Sequence, residues 1–184
     1  MIQASILWRR LDTAGHDACR LERSARGWKL AGTAVFREKA QPAQIHYELQ
    51  CDSRWRSQRG RIQGSVGKRA FAFEIARTSA GGWTLDGKRL RGLDAYVDLD
   101  LGFTPATNYT QLRRVALKLG ESADVTVAWF DWSEKKLVVL PQRYQRRSKT
   151  TYWYESPTAD YEGLLELEPN GFIKTYPRLW QSEG

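Results

Sequence analysis

Alternation of apolar and polar residues at a period of two is the feature that most constrains this chain. In Ala43-Gln44-Ile45-His46-Tyr47-Glu48-Leu49-Gln50-Cys51-Asp52 nearly every odd position is apolar and every even one polar, the signature of a strand with one face buried and one wet. Related runs predict strands over residues 28–36, 71–75 and 96–101. Residues 125–130 and 136–140 are more continuously apolar and read as strands covered on both faces. Shorter strands fit residues 6–9, 18–23, 61–66, 150–154, 163–168 and 172–176. Between them Arg26-Gly27, Gly81-Gly82, Asp86-Gly87 and Pro169-Asn170-Gly171 supply residues that accept positive φ, which predicts antiparallel neighbours in chain order.

Helix signals are thin. Leu112, Val115, Ala116 and Leu119 fit a helical face over residues 109–119, with Pro105 and Asn108 near its start. Val115, Leu117 and Leu119 also alternate with Ala116 and Lys118, so the expectation is a brief turn of helix at most, followed by strand. So many strands must curl, because a long flat sheet leaves a face and two edges exposed. No internal repeat or low-complexity linker divides the chain, and residues 1–184 read as one domain. The expected fold is mainly β: a single domain with a rolled or curved antiparallel sheet, a spiral β-roll or half-barrel, and little helix.

Composition narrows the function classes. Eight Trp and eight Tyr require a packed interior and exclude a disordered chain. Lys and Arg total 29 against 21 acids, a net charge of +8 that favours anionic partners without naming one. Cys19 and Cys51 lack metal-ligand spacing and read as reduced thiols, so neither a metal nor a cofactor is expected. The start shows no basic region ahead of an apolar run, and no segment is long and apolar enough to span a bilayer, so the expected location is cytoplasmic. Nothing specifies an oligomeric state.

Signals for catalysis are weak. His46 lies on the polar side of its strand and His16 follows Gly15 in a turn, and both read as solvated imidazoles. No nucleophile elbow, phosphate loop or paired-His motif occurs, so the reading leans away from an enzyme. Asp98 and Asp100 share one strand face, about 7 Å apart by strand rise. Paired carboxylates at such a spacing can act on sugars, yet two acids on a wet face more often meet arginines of a neighbouring strand, here Arg113 and Arg114.

The loop Thr104-Pro105-Ala106-Thr107-Asn108 is either plain turn chemistry or a polar lip. As a lip, Thr104, Thr107 and Asn108 would bond sugar hydroxyls or a headgroup, with Arg113 or Arg114 gripping phosphate or carboxylate. Basic clusters over residues 54–61, 88–91 and 142–149 interleave with aromatics, as in a surface that stacks single-stranded nucleic acid. They are scattered, and a solvated face with cation–π contacts is the favoured account. Tyr152-Trp153-Tyr154 and Tyr176-Pro177-Arg178-Leu179-Trp180 either pack in the core or line a cavity.

Together several of these residues form an ordered set. It comprises Trp8-Arg9-Arg10-Leu11-Asp12, Gly82-Trp83-Thr84-Leu85-Asp86-Gly87, Asp98-Leu99-Asp100-Leu101, Pro105-Ala106-Thr107-Asn108, Arg113-Arg114 and Gly171-Phe172-Ile173-Lys174-Thr175-Tyr176-Pro177. The set spans almost the whole chain and resembles a bacterial family labelled putative glycolipid-binding, formerly a domain of unknown function. The chain departs from the family at Thr110-Gln111, where the resemblance leads one to expect a Leu-Pro-like step. The resemblance implies a rolled, mostly antiparallel sheet similar to the carriers of bacterial lipoproteins, with a cavity for an amphipathic ligand, and it transfers no catalytic residue.

The leading expectation is a non-enzymatic carrier or sensor that holds a glycolipid or similar amphipathic, anionic small molecule. Its tail would lie inside the curved sheet and its head at the rim. Head contacts are assigned to Thr104, Thr107, Asn108, Arg113 and Arg114, with Asp98 and Asp100 orienting the arginines or accepting hydroxyls; Trp83, Trp129, Tyr152 and Tyr154 are candidate wall residues. Binding of single-stranded nucleic acid or another polyanion is the alternative. An enzyme acting on a sugar or lipid headgroup through Asp98 and Asp100 comes third.

Overall fold

The computed structural model describes residues 1–183. Two meanders, one from each half of the chain, make one continuous sheet. The first runs β1 (Ile2–Arg10), β2 (Gly15–Ser24), β3 (Gly27–Glu38), β4 (Gln41–Cys51), β5 (Ser57–Val66), β6 (Arg69–Arg77), β7 (Trp83–Leu85) and β8 (Lys88–Leu90), each antiparallel to the next. An inner segment follows: β9 (Leu99–Leu101), the helix α1 (Ala106–Val115), β10 (Ser122–Asp124), β11 (Val127–Asp131) and β12 (Lys136–Leu140). The second meander is β13 (Arg143–Arg146), β14 (Thr151–Ser156), β15 (Tyr161–Leu167), β16 (Ile173–Tyr176) and β17 (Trp180–Ser182), with β10 on its outer edge. Pairing of β17 with β1, Trp8 opposite Ser182 and Arg10 opposite Trp180, joins the two into fourteen strands. The sheet is antiparallel throughout and does not close.

The alternation in sequence decides which face turns inward. Ala43, Ile45, Tyr47, Leu49 and Cys51 of β4 are buried while Gln44, His46 and Gln50 are exposed. At the β7–β8 hairpin both central residues have positive φ, 50° at Asp86 and 78° at Gly87, the backbone that tight hairpins of right-twisted strands require. The mainly β, curved antiparallel expectation is therefore met.

The space inside the curve is filled. β9, β11 and β12 form a separate three-stranded sheet, with β9 parallel to β11 and β12 antiparallel to it. Register places Leu99, Leu101, Ala128, Phe130 and Leu137 on one face, and Asp98, Asp100, Trp129, Val138 and Leu140 on the other. The first face packs into the N-terminal meander: Phe130 lies 5.2 Å from Phe73, and Gly60 has no side chain because a Cβ there would meet Leu99 at 2.6 Å. The second face looks toward α1 and the C-terminal meander.

Two expectations about this inner segment are corrected. Residues 106–115 form a ten-residue helix rather than a brief turn, and residues 116–121 are not the strand expected to begin near Arg113; Ala116 ends the helix in the left-handed region, its N–H donating to the Leu112 carbonyl. The helix is buried from Ala106 to Leu112. It holds together there because Thr107, Asn108 and Gln111 find polar partners across the interior rather than water. The strand expected over residues 96–101 shrinks to Leu99–Leu101 and has no wet face, since both of its sides are covered.

Candidate functional site

Asp100 organises the polar interior. Its Oδ1 accepts a hydrogen bond from the Thr107 hydroxyl at 3.0 Å, and its Oδ2 accepts from the side-chain amides of Gln111 at 3.1 Å and Gln142 at 2.7 Å. The network continues through Tyr144, whose hydroxyl donates to Gln111 Oε1 at 2.6 Å and accepts from Asn108 Nδ2 at 2.7 Å. All of these donors are neutral. Burial pushes the Asp100 carboxyl above its ordinary range, the three hydrogen bonds pull it back, and the nearby Asp98 charge raises it further.

A cavity of about 240 Å³ adjoins this network. Asp100, Gly102, Thr104 and Asn108 form one wall, Trp129, Leu140 and Gln142 a second, and Tyr154, Ser156, Tyr161, Tyr176 and Trp180 the wall from the C-terminal meander. Tyr144, Tyr154, Tyr161 and Tyr176 pack on one another with ring centroids 4.9–5.9 Å apart. Burial pushes all four phenols up, and Asp100 adds to that at Tyr144, Tyr154 and Tyr176, so these hydroxyls stay protonated. Gly102 is required for a close approach, because a Cβ there would lie 2.6 Å from the Trp129 indole nitrogen.

A second buried acid lies beside this wall. Asp17 of β2 accepts hydrogen bonds from the Tyr47 hydroxyl, at 2.9 and 3.1 Å, and from the Thr104 hydroxyl. Thr104 Oγ1 in turn accepts the Ala106 N–H at 3.0 Å, which ties the start of α1 to the N-terminal meander. With no cation beside it, burial pushes the Asp17 carboxyl up to about 7 against the pull of its two hydroxyl donors.

The residues expected from sequence divide into two groups. Asp100, Thr104, Asn108, Trp129 and Tyr154 come together at the cavity, and Thr107 supports Asp100. The others lie elsewhere. Arg114 binds both oxygens of Asp98, its Nε at 2.8 and 2.9 Å and an Nη at 2.6 Å. Burial raises the Asp98 carboxyl and Arg114 opposes the rise. Arg113 donates to the Tyr109 hydroxyl at 2.9 Å, Trp83 is fully buried with its indole N–H on the Tyr96 carbonyl, and Tyr152 packs in the cluster with Leu112 and Leu117.

Four corrections follow. The segment 104–108 is the buried entry to α1, not an exposed lip, because its hydroxyls and amides bond inward. The arginines do not face the cavity, and Arg114 meets Asp98 from a helix rather than a strand. Asp98 and Asp100 are no acid pair across one cleft, since Asp98 is held by Arg114 and only Asp100 reaches the cavity. The roomy hollow expected for an acyl tail is occupied by α1 and the small sheet.

Sequence reasoning missed Gln111, Gln142, Tyr144 and Asp17. Amides that converge from distant segments leave no motif. Asp17 did leave a signal, since it is in phase with Cys19 and Leu21, the buried positions of its strand. Two larger hollows, of about 630 and 680 Å³, lie on the solvent face of β1–β5 and near the β2–β3 turn. Some of the charges around them pair with one another, as in Arg20 with Glu22 and Lys29 with Glu22. Within the basic clusters, single arginines pair with acids in different parts of the fold, Arg59 with Glu74 of β6, Arg89 with Asp94 and Arg143 with Asp124 of β10. Among the described residues no group of three or more His, Cys, Asp or Glu could hold a metal ion, and no helix is long and apolar enough to cross a membrane.

These features define a single mainly β domain in which one large open sheet wraps a small sheet, a polar helix and a chamber between them. The chain belongs to the family described as Putative glycolipid-binding, whose model matches residues 5–182. A crystal structure of a DUF1089 family protein from Pseudomonas aeruginosa has the same fold, with a TM-score of 0.79, 22% identity and 90% of each chain covered. Comparison with curated proteins gives no match.

Proposed function

We propose that this chain binds a glycolipid without altering it, as a carrier or sensor, holding the sugar headgroup in the Asp100 cavity. One row of side chains carries the reading. Asp100, Trp129 and Val138 sit abreast on the same face of the small sheet, running from a buried acid through a half-buried indole to an exposed aliphatic residue. That gradient suits an amphiphile: hydroxyls at the acid, the ring against tryptophan, and the first methylenes leaving across Val138. At about 240 Å³ the cavity is smaller than the about 300–1,000 Å³ usual for whole-ligand pockets, so it accommodates a head and leaves the tail outside.

Titration with a short-chain alkyl glycoside, followed by tryptophan fluorescence and native mass spectrometry, tests this. The expected result is one ligand per chain, with Val138→Asp weakening binding of the alkyl glycoside and leaving binding of the matching methyl glycoside unchanged. Absence of binding by any alkyl glycoside would overturn the reading.

A further inference from the structure

We infer that the Asp100 cavity takes an uncharged sugar head and rejects anionic ones, with Asp100 as the residue that sets this specificity. The inference rests on the headgroup reading above and narrows it to neutral glycosides, despite a chain that carries +8 overall. Net charge acts on the outside; among the described residues the cavity wall contains no Lys, Arg or His. The arginines that adjoin wall residues in sequence have partners of their own, Arg143 on Asp124 and Arg178 over the Tyr161 ring with an Nη on the Glu162 carbonyl, as do Arg114 on Asp98 and Arg113 on Tyr109.

Counting lone pairs makes the argument specific. A carboxylate has about four acceptor sites, and Thr107, Gln111 and Gln142 occupy three of those on Asp100. The remaining site can accept a hydroxyl of a ligand. A phosphate or carboxylate oxygen brought there would set lone pair against lone pair in a poorly solvated chamber, where like charges repel strongly. Protonating Asp100 would turn it into a donor but would add no positive charge, so an anion would still lack a counterion.

Other groups on the wall suit alcohols as well. The amides of Asn108 and Gln142 and the hydroxyl of Tyr154 can each donate and accept, as sugar hydroxyls do. Trp129 and Trp180 add ring surface for the apolar side of a pyranose.

The test compares octyl glucoside with octyl glucuronide, which share tail and ring and differ by one carboxylate, together with octyl phosphate. Affinities for the full chain are measured by calorimetry below micellar concentrations. The expected result is that the glucoside binds at least about tenfold more tightly than either anion. Asp100→Asn should narrow that ratio. Because Asp100→Asn disturbs a buried network, Ala159→Lys serves as a second variant: Ala159 is exposed at the cavity edge, and a cation there should improve glucuronide binding selectively. Equal or tighter binding of an anion to the unmodified chain overturns the neutral-head inference and leaves headgroup binding standing. Failure of all three probes overturns both.

Discussion

The two faces of the small sheet inside this protein are made of adjacent residues and do opposite things. Leu99, Leu101 and Phe130 look toward the N-terminal meander, where Phe36, Phe71, Phe73, Phe103 and Trp132 fill the space with rings and few polar atoms. Asp98, Asp100 and Trp129 look toward α1 and the C-terminal meander, where tyrosines, amides and a cavity take their place. A strand that alternates Asp-Leu-Asp-Leu here divides two interiors rather than separating core from solvent. One half is therefore free to be a rigid support, and the other can keep open space and unsaturated polar groups.

Neighbouring substitutions on β11 should separate the two roles. Phe130→Ala removes a fully buried ring from the apolar side and should destabilise the fold by about 3–5 kcal/mol in chemical denaturation. Alkyl glycoside binding by the folded fraction should stay close to normal. Trp129→Ala, one residue away and half-buried, should lose less stability and most of the binding. If Phe130→Ala abolished binding in folded protein, the two sides would not be independent.

Asp17 tests the seam between them. Its carboxyl binds a proton more readily in the folded state, about 7, than the ordinary value of 3.8, so the stability it contributes is fully present below about pH 4 and is lost as pH rises through 7. The full effect is on the order of 4 kcal/mol. Asp98 and Asp100, also raised by burial, act in the same direction. Thermal melts at about pH 5 and about pH 8 should show the native chain less stable at the higher pH, and Asp17→Asn should flatten that slope. A native chain equally stable at both would mean that Asp17 is stably ionised in the fold.

Gly102→Ala gives a smaller, more local effect. The new methyl would press on the Trp129 indole at 2.6 Å and on the Phe130 carbonyl at 3.0 Å. Overpacking of this kind costs about 1–3 kcal/mol, and the displaced indole should weaken glycoside binding more than a melt would suggest. Unchanged affinity would remove Trp129 from the ligand's path.

What was legible from sequence followed the same division. The long strands of the N-terminal meander, β3 and β4 above all, have one face in water, and alternation marks them directly. β10, β13 and β17 are three or four residues long and too short to set up a pattern. The helix was nearly invisible because Thr107, Asn108, Thr110 and Gln111 give it no apolar stripe, and only the unseen partners Asp100 and Tyr144 make burial tolerable. Asp100, Thr104, Asn108, Trp129 and Tyr154, all named from sequence, line one cavity although they come from three strands and the entry to α1. Arg113 and Arg114 were assigned to the rim, whereas α1 turns Arg113 onto Tyr109 and Arg114 onto Asp98, the acid already matched to it from sequence.

The smallest effect belongs to the end of that helix. Ala116 adopts φ 47° and ψ 44°, a left-handed conformation that glycine accepts without the clash a Cβ introduces. Ala116→Gly should relieve that strain, although glycine also enlarges the unfolded ensemble, so the net gain is held to about 0.5–1 kcal/mol. Because α1 carries Asn108 to the cavity from its opposite end, a better stop at residue 116 should raise the melting temperature and leave glycoside affinity unchanged. A shift in affinity with no gain in stability would instead show that the helix moves as a unit when the cavity fills, and that the polar half of the interior is adjustable where the apolar half is not.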